Sequence, residues 1–191
     1  TAIVTRGHHA GYYPGAKNMV LKLIFDENGK IFGAQAVGEA GVDKRIDVIA
    51  TAIKGNLTVY DLPEIEITYA PPYNSAKDPV NIAGYTAENI LKGDLEMVNY
   101  DEFWDFVKEN NAVILDVRTS KEFSGGAIEG AININVDDLR ENLQNLDKNK
   151  VYAIYCQVGL RGYLANRIMR NNGFRAVNLN GGYNLWSKVN S

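Results

Sequence analysis

The order of apolar and polar positions gives the chain two patterns, which change over near residues 92–98. In the first, residues 1–6 and 18–26 are apolar and β-branched enough to form strands. Residues 30–37 read as a return strand after the hairpin signal Asn28-Gly29. Val42, Ile46, Ile49, Ala50 and Ile53 then recur at helical spacing, with Gly55 placed to end the helix. Thr68-Tyr69-Ala70-Pro71-Pro72-Tyr73 is expected to be extended, because a residue before proline is pushed out of the α region. Asp78-Pro79 opens a second helix to about Lys92, where Gly93 stops it. An antiparallel hairpin with helices predicts an α+β unit.

Beyond residue 96 the pattern alternates. Asn99-x-x-Glu102 reads as a capping box for a helix burying Phe103, Phe106 and Val107. Residues 112–117 and 151–155 are continuous apolar runs, as in strands covered on both faces. Thr119-x-x-Glu122 is a second capping box. Tyr163, Leu164, Ile168 and Met169 form a helical face that ends at Asn172-Gly173. Residues 176–179 are a third strand, and Gly181-Gly182 precedes a last helix carrying Trp186. This alternation predicts an α/β unit with a mainly parallel sheet.

Composition narrows the picture slightly. With 20 basic and 23 acidic residues the net charge is −3, which argues against nucleic acid or an anionic membrane surface as the main partner. No apolar stretch approaches the ~20 residues that cross a bilayer. The one cysteine, Cys156, excludes an intramolecular disulfide and a multi-cysteine zinc site, so no metal is expected, and it favours a cytoplasmic setting. The opening residues already read as a strand and lack an initiator Met, so the chain is expected to be a piece of a longer protein.

Candidate chemistry concentrates in Cys156-Gln157-Val158-Gly159-Leu160-Arg161-Gly162, between a buried strand and a helix. Ligand sites in α/β proteins lie at the C-terminal ends of strands. A loop folding over the helix start would aim amides at the sulfur. Those donors, the helix N-terminus and Arg161 favour an anion there, hence a nucleophilic thiolate. Gly159 and Gly162 are expected to supply the unusual backbone angles of such a cradle. A lone cysteine at a strand end is often only a buried thiol; its place before a helix, with Arg161 five positions on, singles this one out.

The second half, residues 96–191, resembles the rhodanese (sulfurtransferase) family in Leu115-Asp116-Val117-Arg118, Glu122-Phe123, Gly130-Ala131-Ile132-Asn133, the Cys156–Arg161 loop and Leu179-Asn180-Gly181-Gly182 with Trp186. The resemblance implies that Cys156 carries a sulfane sulfur as a persulfide, assisted by Arg161. Amides of the loop Gln157, Val158, Gly159, Leu160 and Gly162 would hold the anion. Asp116 and Arg118 would be structural and rim residues, and small sulfane-sulfur compounds or thiols the substrates. Many rhodaneses carry Gly-His-Ile where this chain has Gly126-Ala127-Ile128, so a structural histidine is absent. Cell-cycle phosphatases of this fold have Cys-x₅-Arg. Here four residues separate Cys156 from Arg161, a loop that favours sulfur over phosphate. A non-catalytic docking or sensing rhodanese module is the alternative.

Residues 1–95 carry Gly11-Tyr12-Tyr13-Pro14-Gly15-Ala16 and Tyr69-Ala70-Pro71-Pro72-Tyr73-Asn74-Ser75-Ala76-Lys77-Asp78-Pro79. They resemble the dimerisation domain of FAD-dependent pyridine nucleotide-disulfide reductases, in the coenzyme A-disulfide reductase and NADH oxidase branch. That implies a homodimer through residues 1–95, with Tyr69 and either Tyr12 or Tyr13 lent to the partner subunit's coenzyme A and flavin site. The His-Pro proton donor of glutathione-reductase relatives is absent, so His8 and His9 are expected to be exposed loop residues. No Gly-x-Gly-x-x-Gly turn or flavin-proximal redox cysteine is present. The chain itself is therefore expected to bind no cofactor, with FAD, NAD(P)H and coenzyme A serving a parent whose FAD and NAD domains are missing. That parent would reduce coenzyme A disulfide, persulfide or polysulfide.

Overall fold

A computed structural model describes residues 1–190, and the chain divides between Gly93 and Asp94 into two compact units. In the first, β1 (Ala2–Gly7), β2 (Asn18–Phe25) and β3 (Ile31–Gly38) form an antiparallel sheet in that order. Met19, Leu21 and Leu23 alternate inward along β2, the period of a strand with one covered face. Helices α1 (Val42–Lys54) and α2 (Pro79–Leu91) cover that face through Ile49, Ala52, Val80, Ala83 and Ala87. Each fully buried leucine in such a core contributes about 1.5–3 kcal/mol.

The hairpin at Asn28-Gly29 forms as read, and two local expectations, on the buried face of α1 and on the proline segment, need correction. Gly29 alone takes a left-handed φ in the hairpin, which is closed by Asp26 Oδ1 accepting from the Asn28 and Lys30 amides, both at 2.9 Å. Ala52, not Ala50, turns into the core of α1. Gly55 is the C-cap of α1 as read, with φ −79°, and the left-handed φ of 56° falls on Asn56 beside it. The proline segment is extended only to Ala70, whose carbonyl accepts from Tyr73 and Asn74 to make a turn. Asp78 and Pro79 start α2 as read: Asp78 accepts from Val80 N–H and Asn81 returns the bond, completing a capping box.

The second unit has five parallel strands, β4 (Met97–Val98), β5 (Val113–Asp116), β6 (Ile132–Asn133), β7 (Val151–Tyr155) and β8 (Arg175–Leu179), in the order β4-β8-β7-β5-β6. Central β7 is buried at every position. Tyr152, Ile154 and Cys156 face one core with Leu115, Ala165 and Met169; Ala153 and Tyr155 face the other with Phe103, Val177 and Leu179. Helices α3 (Phe103–Glu109), α4 (Ser120–Ser124), α5 (Leu139–Asn142), α6 (Leu160–Asn171) and α7 (Gly182–Val189) connect and cover the strands. The N-cap of α3 is Glu102 rather than Asn99 and makes no side-chain cap bond, while the Asn99 side chain donates to Glu102 Oε2 at 3.0 Å. Leu164 is 45 % exposed, because α6 packs through Gly162, Ala165, Asn166 and Met169, one position round from the expected face.

Candidate active site

Cys156 follows β7 at the C-terminal end of the sheet's central strand and is 1 % exposed. Its Sγ accepts the Gly159 amide at 3.1 Å. Gly159 has φ 113°, a conformation that L side chains rarely adopt and that lets the loop turn this N–H back onto the sulfur. Leu160 begins α6, so the first-turn amides of Leu160, Arg161 and Gly162 have no preceding carbonyl within the helix. From beneath, α7 fastens the loop: Tyr183 donates to the Cys156 carbonyl at 2.8 Å and Asn184 to that of Gln157 at 3.0 Å. A Cβ on Gly182 would lie 2.7 Å from Cys156 O and 2.9 Å from Val158 N. Gly162 is helical rather than strained; its missing Cβ makes room for Asn178, whose Oδ1 would otherwise be 2.1 Å away.

Asp116 ends β5, and Arg118, two residues on, does not lie at a rim. Both are buried, Arg118 to 2 % exposure, and pair through Nε and Nη2, with Nη2 2.7 Å from Asp116 Oδ2. Burial opposes the arginine charge, but Asp116 outweighs it and holds the guanidinium above its ordinary pKa. Arg118 lies 4.1 Å from the centroid of the Tyr183 ring and donates to Gly126 O at 2.7 Å and Gln157 Oε1 at 3.0 Å. The residue after the cysteine is thereby tied to the buried ion pair.

The Arg161 fork is taken up by Glu122. Nη1 and Nη2 each donate at 2.7 Å to one oxygen of Glu122, and Glu122 Oε2 also accepts from the Thr119 amide at 3.0 Å and hydroxyl at 2.8 Å. The Arg161 bond foremost holds the Glu122 carboxyl down to about 2. Arg161 in turn is held above its ordinary value, first by Glu122, with Cys156 among the weaker contributors. Glu122 is the residue that sequence reasoning missed: its spacing from Thr119 showed the cap, but its second partner lies 39 positions away.

In the first unit, the Tyr12 and Tyr69 hydroxyls are 2.9 Å apart, at 77 % and 49 % residue exposure, while Tyr13 meets His9 edge-on. Of the two tyrosines left open by sequence, Tyr12 is the one joined to Tyr69, which holds the Tyr12 phenol above its ordinary pKa. His9 is buried, not exposed, because its ring packs between His8 and Tyr13 and its Nδ1 donates to Ala10 O at 3.0 Å. Buried Arg45 holds the two tyrosine-bearing loops, donating to His8 O at 2.7 Å and Asn74 Oδ1 at 2.9 Å, and it pairs with Asp78 at 2.8 Å.

Residues 1–79 match the family model of the pyridine nucleotide-disulphide oxidoreductase dimerisation domain, and residues 99–189 that of the rhodanese-like domain. A coenzyme A disulfide reductase of Staphylococcus haemolyticus is 51 % identical over 85 residues, which are 44 % of this chain and 19 % of the relative. The reduced Bacillus anthracis CoADR-RHD structure is 49 % identical with a TM-score of 0.95, over 98 % of this chain and 34 % of that one. A NAD-dependent persulfide reductase from A. fulgidus is 38 % identical with a TM-score of 0.87, over 97 % and 33 %. The chain thus spans about a fifth of the curated relative and a third of these solved chains. With a domain model matched on each side of the division at Gly93, the chain is an α+β unit that matches the pyridine nucleotide-disulphide oxidoreductase dimerisation domain followed by a parallel α/β unit that matches the rhodanese-like domain.

Proposed function

We propose that the second unit transfers sulfane sulfur through a Cys156 persulfide. The observation that carries this reading is the Cys156 sulfur at the end of central β7, receiving the Gly159 amide in a loop fastened by α7. The thiolate attacks the outer sulfur of a donor such as thiosulfate. A Cys156 S–S bond forms, the donor S–S bond breaks, and its electron pair leaves with sulfite. The outer persulfide sulfur then passes to a nucleophile, cyanide giving thiocyanate, and the thiolate returns. The Gly159 amide stabilises the anionic sulfur, and Asp116–Arg118 hold Gln157, so the loop need not reorganise during transfer.

The first unit is proposed as a homodimerisation module whose Tyr12–Tyr69 pair faces the partner subunit, within an NAD(P)H- and FAD-dependent reductase of coenzyme A disulfide, persulfide or polysulfide. Similarity to coenzyme A disulfide and persulfide reductases supports that setting. The residues of this chain do not fit a flavin or nicotinamide: the connections after β5, β7 and β8 lack Gly-x-Gly-x-x-Gly spacing. Hydride and electron transfer therefore fall to other domains of that reductase.

After incubation with thiosulfate, the protein should carry about one cyanolysable sulfur per chain, and C156S none. Persistence of the label in C156S refutes the reading. A docking module would show no label in either form.

A further inference from the structure

We propose that Glu122 is a positioning residue that sets the charge selectivity of sulfur donors, by holding Arg161 in a neutralising pair at the edge of the Cys156 loop. The inference rests on the sulfur-transfer reading above and adds a residue to it. The Arg161 fork is occupied bidentately at 2.7 Å, the geometry in which guanidinium and carboxylate match best. The same carboxylate is fixed from its other side by Thr119, through both amide and hydroxyl. Glu122 therefore belongs at once to the cap of α4 and to the first turn of α6, two elements far apart in sequence. Both partners are about one-third exposed, so a small anion can reach the pair from solvent.

The electrostatic consequence concerns the donor. Attack by a thiolate on a dianion opposes like charges, and an uncommitted arginine in the loop would relieve that repulsion. Paired with Glu122, Arg161 contributes little net charge, and the sulfur relies on the uncharged Gly159 amide. The loop is thereby tuned against the more highly charged donor. Releasing Arg161 adds one positive charge beside the loop, an effect on the order of fivefold for one extra unit of donor charge in a solvated setting.

Thiosulfate and methanethiosulfonate provide the comparison. Each presents one outer sulfur and differs by one negative charge; the first releases sulfite and the second methanesulfinate, with the leaving sulfur keeping the bond pair. With cyanide as acceptor, the readout is the ratio of kcat/KM for thiosulfate to that for methanethiosulfonate. Glu122→Gln is suitable because glutamine also completes a capping box, so the cap of α4 is retained while the charge is lost. The ratio should rise about fivefold in E122Q, fall in R161Q, where the carboxylate is left unpaired, and return to the wild-type value in the double variant. T119V, which weakens the cap without freeing Arg161, should keep the wild-type ratio. An unchanged ratio in E122Q overturns the proposal, as does a double variant matching R161Q, which would mean that Arg161 binds donors directly. A rise in T119V equal to that in E122Q would assign the effect to the cap and also overturn it. Transfer surviving in C156S would instead reject the sulfur-transfer reading itself.

Discussion

Gly182 allows the packing beneath the cysteine loop to be measured. It has φ 66°, and an added Cβ would meet three backbone atoms, Cys156 O at 2.7 Å, Gln157 O at 2.9 Å and Val158 N at 2.9 Å. None is a flexible side-chain end, and the two carbonyls are already fixed by the Tyr183 and Asn184 amides. Substitution by alanine therefore carries a left-handed penalty of about 1–2 kcal/mol and an overpacking cost of about 1–3 kcal/mol. Gly173 isolates the first contribution, since its φ is 81° with nothing within 4 Å of the added Cβ. Urea unfolding of G182A, G173A and the parent should give a loss of about 1–2 kcal/mol for G173A and a further 1–3 kcal/mol for G182A. Persulfide labelling should fall in G182A alone, because only that clash moves the Cys156 backbone. If G182A costs no more than G173A and labels normally, the loop is not held from below in the way described.

Arg45→Met should lower the stability of the first unit by about 3–5 kcal/mol, because Asp78 is left as an uncompensated buried charge; chemical denaturation of R45M and of R45M/D78N checks this, the double variant recovering part of the loss. Glu122, whose folded pKa of about 2 lies below its ordinary 4.5, contributes stability that is present above about pH 4.5 and lost as pH falls towards 2. Since the pair is partly exposed, the contribution is about 1 kcal/mol, and E122Q should flatten the stability profile across that interval.

Much of the fold is legible in the sequence because its strongest elements are periodic. The runs at β5 and β7 are continuous in apolar residues, since both faces of their sheet are covered. Strands β4 and β6, with two residues each, are too short to impose any period. Leu164 misleads because the buried face of α6 is lined partly by Gly162 and Asn166, which carry no hydrophobic signal. At the site, Cys156 and Gly159 are readable from local spacing, whereas the partners of the arginines are not. The resemblance alone suggests a rim place for Arg118; its neutralisation by Asp116, two positions back, and its cover by Tyr183 become visible only in three dimensions. Proximity in sequence assigns Arg161 to the sulfur, and its commitment to Glu122 depends on how α4 meets α6.

The attachment of α7 to the cysteine loop also orders events during synthesis. β5, β7 and β8 all precede α7 in the chain, so the residues whose amides hold the Cys156 and Gln157 carbonyls are made after the central strands. The loop acquires its last anchors only when the final helix emerges and docks. A chain cut short before Tyr183 would retain the cysteine without the two amides that hold its loop from below.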